Sequence, residues 1–255
     1  MKPVRLLLLA GTGEARELAR ELAAIPEVAA IASLAGATRQ PLDLDLPTRV
    51  GGFGGRAGFE AFLKAERIAA VLDATHPFAD RISRRTADVC RARGLPCLQL
   101  LRPPWTPAPG DRWTCVDHEG AAAEHIPEGA TVFLATGPQH LERFANLSGR
   151  RLICRRIDPP RAPFPLPGGE YLVDRPPFTV ADEIALMRKR GIDWLVTRNS
   201  GGQGSRPKLE AARMLGLPVL MISRPAPPPG VTPVESVEKA LAWVRSLCNA
   251  RAELP

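Results

Sequence analysis

Leu6, Leu7, Leu8 and Leu9 form an unbroken apolar run that ends at Ala10 and passes directly into Gly11-Thr12-Gly13-Glu14. A strand with no polar face has to be covered on both sides. That is the position of an inner strand in a parallel sheet flanked by helices. Similar short apolar segments recur along the chain and alternate with longer amphipathic ones, the pattern of an α/β protein. Strands are expected near residues 4–10, 28–33, 69–73 and 96–101, and helices near 14–24, 58–66 and 79–93. On the first helix Leu18, Leu22 and Ile25 recur at helical spacing and mark a buried stripe, with Arg16 and Arg20 off it.

The Pro-rich stretch at 102–110 can continue neither a helix nor a central strand, so it reads as a connection. After it the pattern restarts. Strands are expected near 131–135, 151–157, 194–197 and 219–222, and helices near 180–190, 207–215 and 234–247. The predicted fold class is therefore α/β, with two Rossmann-like lobes of mainly parallel sheet and a ligand cleft between them. The first lobe spans 1–102, the connection 103–112 and the second lobe 113–255, with the last helix assignable to either.

Composition narrows the function classes. At 255 residues, 45% hydrophobic and 24% charged, the chain can bury one large core or two moderate ones. No apolar run reaches the roughly 18 residues of a membrane span, so no membrane partner is expected. Five cysteines without a CxxC pair support neither a disulfide framework nor a metal site. Reduced thiols in a cytoplasmic protein are the expectation. The formal charge of +7 invites a nucleic-acid reading. The arginines are dispersed, however, and a single Tyr with 5% aromatics leaves no stacking platform, so no nucleic-acid partner is expected. Guanidinium groups also suit ligands rich in carboxylates.

Four junctions carry candidate chemistry. Gly11, Thr12, Gly13 and Glu14 lie where a strand turns into a helix, so backbone N–H groups can meet a pyrophosphate. The dinucleotide fingerprint has a third glycine where Arg16 stands here, so a plain tight turn stays open. The second strand ends in Ser33 and runs on through Thr38 to Arg39 with no acid for a ribose 2′-hydroxyl, which favours NADP over NAD. Gly51-Gly52-Phe53-Gly54-Gly55 either lies flat against a ligand or is a flexible connector. The third junction is Asp73-Ala74-Thr75-His76-Pro77. His76 is the candidate for acid–base work, or else caps the following helix or binds backbone. The fourth, Thr197-Arg198-Asn199-Ser200-Gly201-Gly202 with Lys208 beyond it, fits an anionic ligand.

Taken with their order, these segments resemble the precorrin-6A reductase family of cobalamin biosynthesis and its cobalt-precorrin counterpart. The matching pieces are GTGEARELA at the start, SLAGAT from Ser33, GGFGG, DATHPFA, RPPW from Arg102, PPFTVADE from Pro176, and TRNSGG followed by PKLEAAR. The family tends to carry arginine where Ala37 and Pro138 stand and lysine where Arg198 stands; Arg39 is a substitute for the first.

The resemblance implies an oxidoreductase that uses NADPH to reduce one double bond of a corrin-precursor macrocycle. Cofactor contacts are then assigned to Gly11, Thr12, Gly13, Glu14, Ser33, Thr38 and Arg39. Substrate contacts are assigned to Thr75, His76, Arg198, Asn199, Ser200, Gly201, Gly202 and Lys208, with His76 the candidate proton donor. The partner is the tetrapyrrole, with hand-over to neighbouring pathway enzymes. The alternatives are an NADP-dependent reductase of another anionic small molecule and a non-catalytic NADP-sensing protein. A Tyr-x-x-x-Lys pair is missing, since Arg175 follows Tyr171 at that spacing.

Overall fold

The computed structural model of the chain describes residues 2–36 and 43–252. It groups into two compact units, one of residues up to Pro103 together with those from Pro225 onward, the other of Pro104–Arg224.

The first unit begins with β1 (Val4–Leu9), α1 (Gly13–Ala23), β2 (Val28–Leu34), β3 (Thr48–Val50), α2 (Gly55–Ala65), β4 (Ala70–Asp73), α3 (Asp80–Ala92) and β5 (Cys97–Leu100). The four leucines of β1 explain its layers. Leu6 and Leu8 enter a core with Leu18 and Leu22 of α1, while Leu7 and Leu9 enter another with Phe59 and Leu63 of α2 and Val89 of α3. Successive strand residues point to opposite faces, so only an all-apolar strand can serve both cores. Each fully buried leucine contributes about 2 kcal/mol through the area it removes from water.

The second unit contains β6 (Trp113–Val116), β7 (Thr131–Leu134), β8 (Arg151–Arg156), β9 (Gly169–Val173), α4 (Val180–Arg190), β10 (Trp194–Arg198), α5 (Pro207–Met214) and β11 (Val219–Ile222). Two 3-10 segments, Glu119–Glu124 and Leu141–Leu147, stand where helices would otherwise connect strands. Its sheet runs β6-β11-β10-β7-β8-β9, and every pairing is parallel. Phe133, Ile153, Leu195 and Met221 of the strands pack with Met187 of α4 and Leu209 of α5.

Past Arg224 the chain rejoins the first unit as β12 (Pro233–Val234) and α6 (Val237–Ala252). The first sheet is then β12-β5-β4-β1-β2-β3, again parallel throughout. Sequence reading carried the second lobe to residue 255 with its last helix unassigned. In the structure Val237, Ala240, Leu241 and Val244 of α6 join the core of α1. The strands β3, β6, β9 and β12 were not anticipated. They are short, lie at or near sheet edges or beside proline-rich loops, and carry little apolar pattern.

Candidate active site

In the first sheet the strand order reverses between β1 and β4. Ligands of open α/β sheets bind beyond the carboxyl ends of strands at such a reversal. Register places the ends level: Leu9 lies beside both Ser33 and Asp73. Three of the predicted junctions therefore share one edge.

The first junction is held by Thr12. Its side-chain oxygen accepts from the backbone N–H of Ala15 at 3.1 Å and caps α1, and its hydroxyl donates to the carbonyl of Ala74 at 3.0 Å. Gly11, at φ +150°, has a backbone that other residues rarely adopt, whereas Gly13 has neither a positive φ nor any atom within 4 Å of where a Cβ would stand. The fold does not require glycine at position 13. The space beside its backbone is open. Glu14 accepts from Arg102 Nη1 at 2.7 Å, and the two line a small cleft with Thr12, Thr75, Pro77 and Leu100.

At the β4 junction Asp73 is only 3% exposed and points inward. Its Oδ1 accepts from the Thr75 N–H at 3.0 Å and the Thr75 hydroxyl at 2.7 Å. Burial pushes the Asp73 carboxyl up, against hydrogen bonds from Ser83 and Thr75 that pull it down. Asp73 thus shapes the turn, and Thr75 lines the cleft. His76 Nδ1 accepts from the Phe78 N–H at 3.2 Å, which leaves the neutral ring its proton on Nε2. His76 therefore binds backbone in the turn before α3 and does not cap that helix, whose N-cap Ala79 has no side-chain cap bond; the bond to Phe78 also orients Nε2–H as a donor.

At the β2 junction Ser33 is buried, and its hydroxyl accepts from Arg49 Nη1 at 2.8 Å. Thr38 and Arg39, assigned to the cofactor from sequence, lie outside the described residues.

The second unit repeats the arrangement. Its strand order reverses between β7 and β10, and the 198–202 loop leaves the end of β10 there. Arg198 Nη2 donates to Glu119 Oε1 at 3.0 Å. Burial pushes the Glu119 carboxyl up, but a backbone N–H, Arg198 and Arg143 outweigh it and hold it below the usual range. Asn199 turns its amide to the backbone of Trp105. Ser200 is buried; Gly201 and Gly202 take positive φ, and the Gly202 carbonyl accepts from the Trp105 indole at 2.8 Å.

Lys208, in the first turn of α5, is 8% exposed, with its ammonium 5.6 Å from the centre of the Trp105 ring. Burial pushes it down to about 8, against the pull of Glu183 and with help from Arg155. Arg155, near the end of β8, pairs with Glu183 of α4 through two bonds of 2.7 and 2.8 Å. These three groups carry a net positive charge at the carboxyl edge of the sheet.

Sequence reasoning therefore placed the loops but missed several residues that organise them. Arg102 was read as part of a motif, and nothing local signalled its return to Glu14. Trp105 and Glu183 likewise stood in matching motifs with no role assigned, and Glu119 stood in none.

A family model described as precorrin-6x reductase CbiJ/CobK matches residues 5–245. The chain belongs to this family. It is 48% identical over 244 residues to a precorrin-6A reductase of Rhodococcus erythropolis, covering 95% of this chain and 98% of that one. A precorrin-6A reductase of Mycobacterium tuberculosis is 46% identical over 245 residues, at 95% and 98% coverage. A solved structure of CobK precorrin-6A reductase superposes with a TM-score of 0.88 at 42% identity, covering 96% of this chain and 97% of that one. The motifs named from sequence thus pointed to the right family, an oxidoreductase family with this α/β fold. Among the described residues no helix is long and apolar enough to cross a membrane.

Proposed function

We propose that this chain reduces one double bond of the precorrin-6A macrocycle with NADPH, a step of cobalamin biosynthesis. The observation that carries the cofactor half is Gly13: a glycine the fold does not need, at a helix N-terminus, at the reversal point of a parallel sheet. Gly11, Thr12 and Gly13 would hold the pyrophosphate, and Ser33 the ribose side. Glu14 is an unwelcome charge beside a pyrophosphate, and its pairing with Arg102 neutralises it.

When bound, the reduced nicotinamide supplies the hydride. The protein's own part is orientation, charge and a proton. Thr12 and Thr75 fix the walls of the cleft. Arg198 and Lys208 are assigned to carboxylates of the substrate, with the 198–202 loop contributing Asn199, Ser200, Gly201 and Gly202 as its frame. His76 holds a donor proton on Nε2 and is the candidate for completing the reduction.

The test is direct. Purified protein given precorrin-6A should consume NADPH in proportion to the reduced product formed. A parallel arm with the cobalt-containing precorrin distinguishes the two substrates. No NADPH loss with either substrate, from folded protein, removes the proposal.

A further inference from the structure

Two free thiols meet at the amino edge of the first sheet. Cys90 lies in the last turn of α3 and Cys97 opens β5. The chain turns back between them: Gly94, at φ +63°, follows the helix, and the Leu95 N–H donates to the Cys90 carbonyl at 2.9 Å. Cys97 then enters the sheet beside Val71 of β4. Cys90 is buried in the core of Leu7, Phe59 and Val89, and half-buried Cys97 packs against the same core. The two side chains hydrogen-bond to each other there.

That contact sets the pair apart from the other thiols. Its hydrogen bond pulls the Cys90 thiol below the ordinary range and, with burial, pushes Cys97 up, so a thiolate formed in the pair has its own donor beside it. Cys154 shows the contrast: burial pushes it up to about 12, and its sulfur donates to the Arg155 carbonyl instead of to a second sulfur.

We propose that Cys90 and Cys97 form a reversible oxidation site, which takes a peroxide as its oxidant and closes an internal disulfide between α3 and β5. One sulfur of the pair, as thiolate, attacks a peroxide oxygen; the O–O bond breaks, and a sulfenic acid and, from hydrogen peroxide, water are produced. The second sulfur, losing its proton, then attacks the first. The S–S bond forms and the hydroxyl leaves as a second water. Two electrons pass from sulfur to oxygen, and a thiol reductant reverses the change. The site has no carboxylate, imidazole or substrate contact to supply; the contact of the two sulfurs is the whole device. Its product ties down the segment 90–97. That segment joins α3, which starts just past the Thr75 turn, to β5, whose Leu100 lines the small cleft.

The experiment is peptide mapping of the full folded chain after hydrogen peroxide, with remaining free thiols alkylated under denaturing conditions. Arg91 and Arg93 lie between the two cysteines, so trypsin separates them unless a disulfide holds the pieces together. The expected result is a linked pair of peptides carrying Cys90 and Cys97, released by dithiothreitol. Oxidation should also raise the melting temperature by about 4 °C, because the closed segment restricts the unfolded chain. In Cys97→Ala the link and the rise should both vanish. Should that variant fail to fold, the wild-type map carries the test alone. Peroxide treatment that leaves Cys90 and Cys97 both alkylated, or that takes Cys97 to a sulfinic acid with no link formed, overturns the proposal.

Discussion

Asn199 and Trp105 form a two-bond clamp: the Asn199 side-chain oxygen accepts the Trp105 N–H at 2.8 Å, and its nitrogen donates to the Trp105 carbonyl at 3.0 Å. One amide thus imitates a neighbouring strand. It fixes the residue whose indole binds the Gly202 carbonyl and whose ring lies against Lys208. Asn199 is a positioning residue for the loop it belongs to.

Asn199→Asp should break that clamp, because an oxygen would then face the Trp105 carbonyl. The expected cost is about 2–3 kcal/mol, the penalty of an unsatisfied buried group plus a misplaced charge. Denaturant unfolding followed by tryptophan fluorescence measures it. A loss under half a kcal/mol would show the clamp to be dispensable.

Lys208→Met should make the protein more stable and less able to bind its substrate. The folded ammonium titrates at about 8, below its ordinary 10.5, so between those values the unfolded chain holds more protons and stability rises with pH. Below that window the buried charge is a burden. Its removal should add about 1–3 kcal/mol near neutrality and flatten the alkaline rise. Substrate affinity should fall by about tenfold in the variant, and in the wild type should decline as pH climbs past the lysine's value. Stability curves at several pH values and substrate titrations test both halves.

Gly13→Ala separates folding from binding. Alanine in the first turn of α1 meets no neighbour, and the melting temperature should stay level or rise slightly. Binding of NADPH should nevertheless weaken by about tenfold, since a methyl group would stand in the approach path. Equal affinity in the variant would remove the pyrophosphate assignment.

His76→Asn keeps an acceptor for the Phe78 N–H but has no counterpart of Nε2–H, whereas His76→Ala loses both. A general acid contributes about 100-fold or more, so both variants should show lowered kcat with NADPH binding intact. Normal kcat in the asparagine variant assigns the proton elsewhere.

Asp73→Asn examines the buried carboxyl under the Thr75 turn. A raised folded value means that the carboxyl's contribution is whole below its ordinary 3.8 and is lost as pH rises through the folded value. Asparagine keeps the oxygen that Thr75 needs and cannot ionise. Its stability should therefore change less than the wild type's as pH rises from the ordinary 3.8 through the raised folded value. Parallel slopes in urea unfolding would show that Asp73 carries no such burden.

Much of this molecule was legible along the chain. The apolar run of β1, the stripe on α1 and the glycine turn between them are local, because strand and helix periodicities are written in neighbouring residues. So were the loops at Thr75 and Arg198, which follow apolar strands. Four strands escaped for the same reason in reverse: Thr48-Arg49-Val50 is too short and too polar to show a period. The last helix joined the first unit because Val237 and Leu241 complete a core begun by Leu18 and Leu22, more than two hundred residues earlier in the chain.

What the sequence by itself determined was the kind of scaffold and the loops that carry chemistry, down to the family. Only the tertiary structure decided the duty of each side chain. Asp73 faces inward, Asn199 is engaged with Trp105, Arg102 answers Glu14 and Arg49 meets Ser33. The physical reason is that secondary structure follows patterns between residues close in sequence. A buried charge or amide is satisfied by whatever polar group the fold brings near, at any distance along the chain.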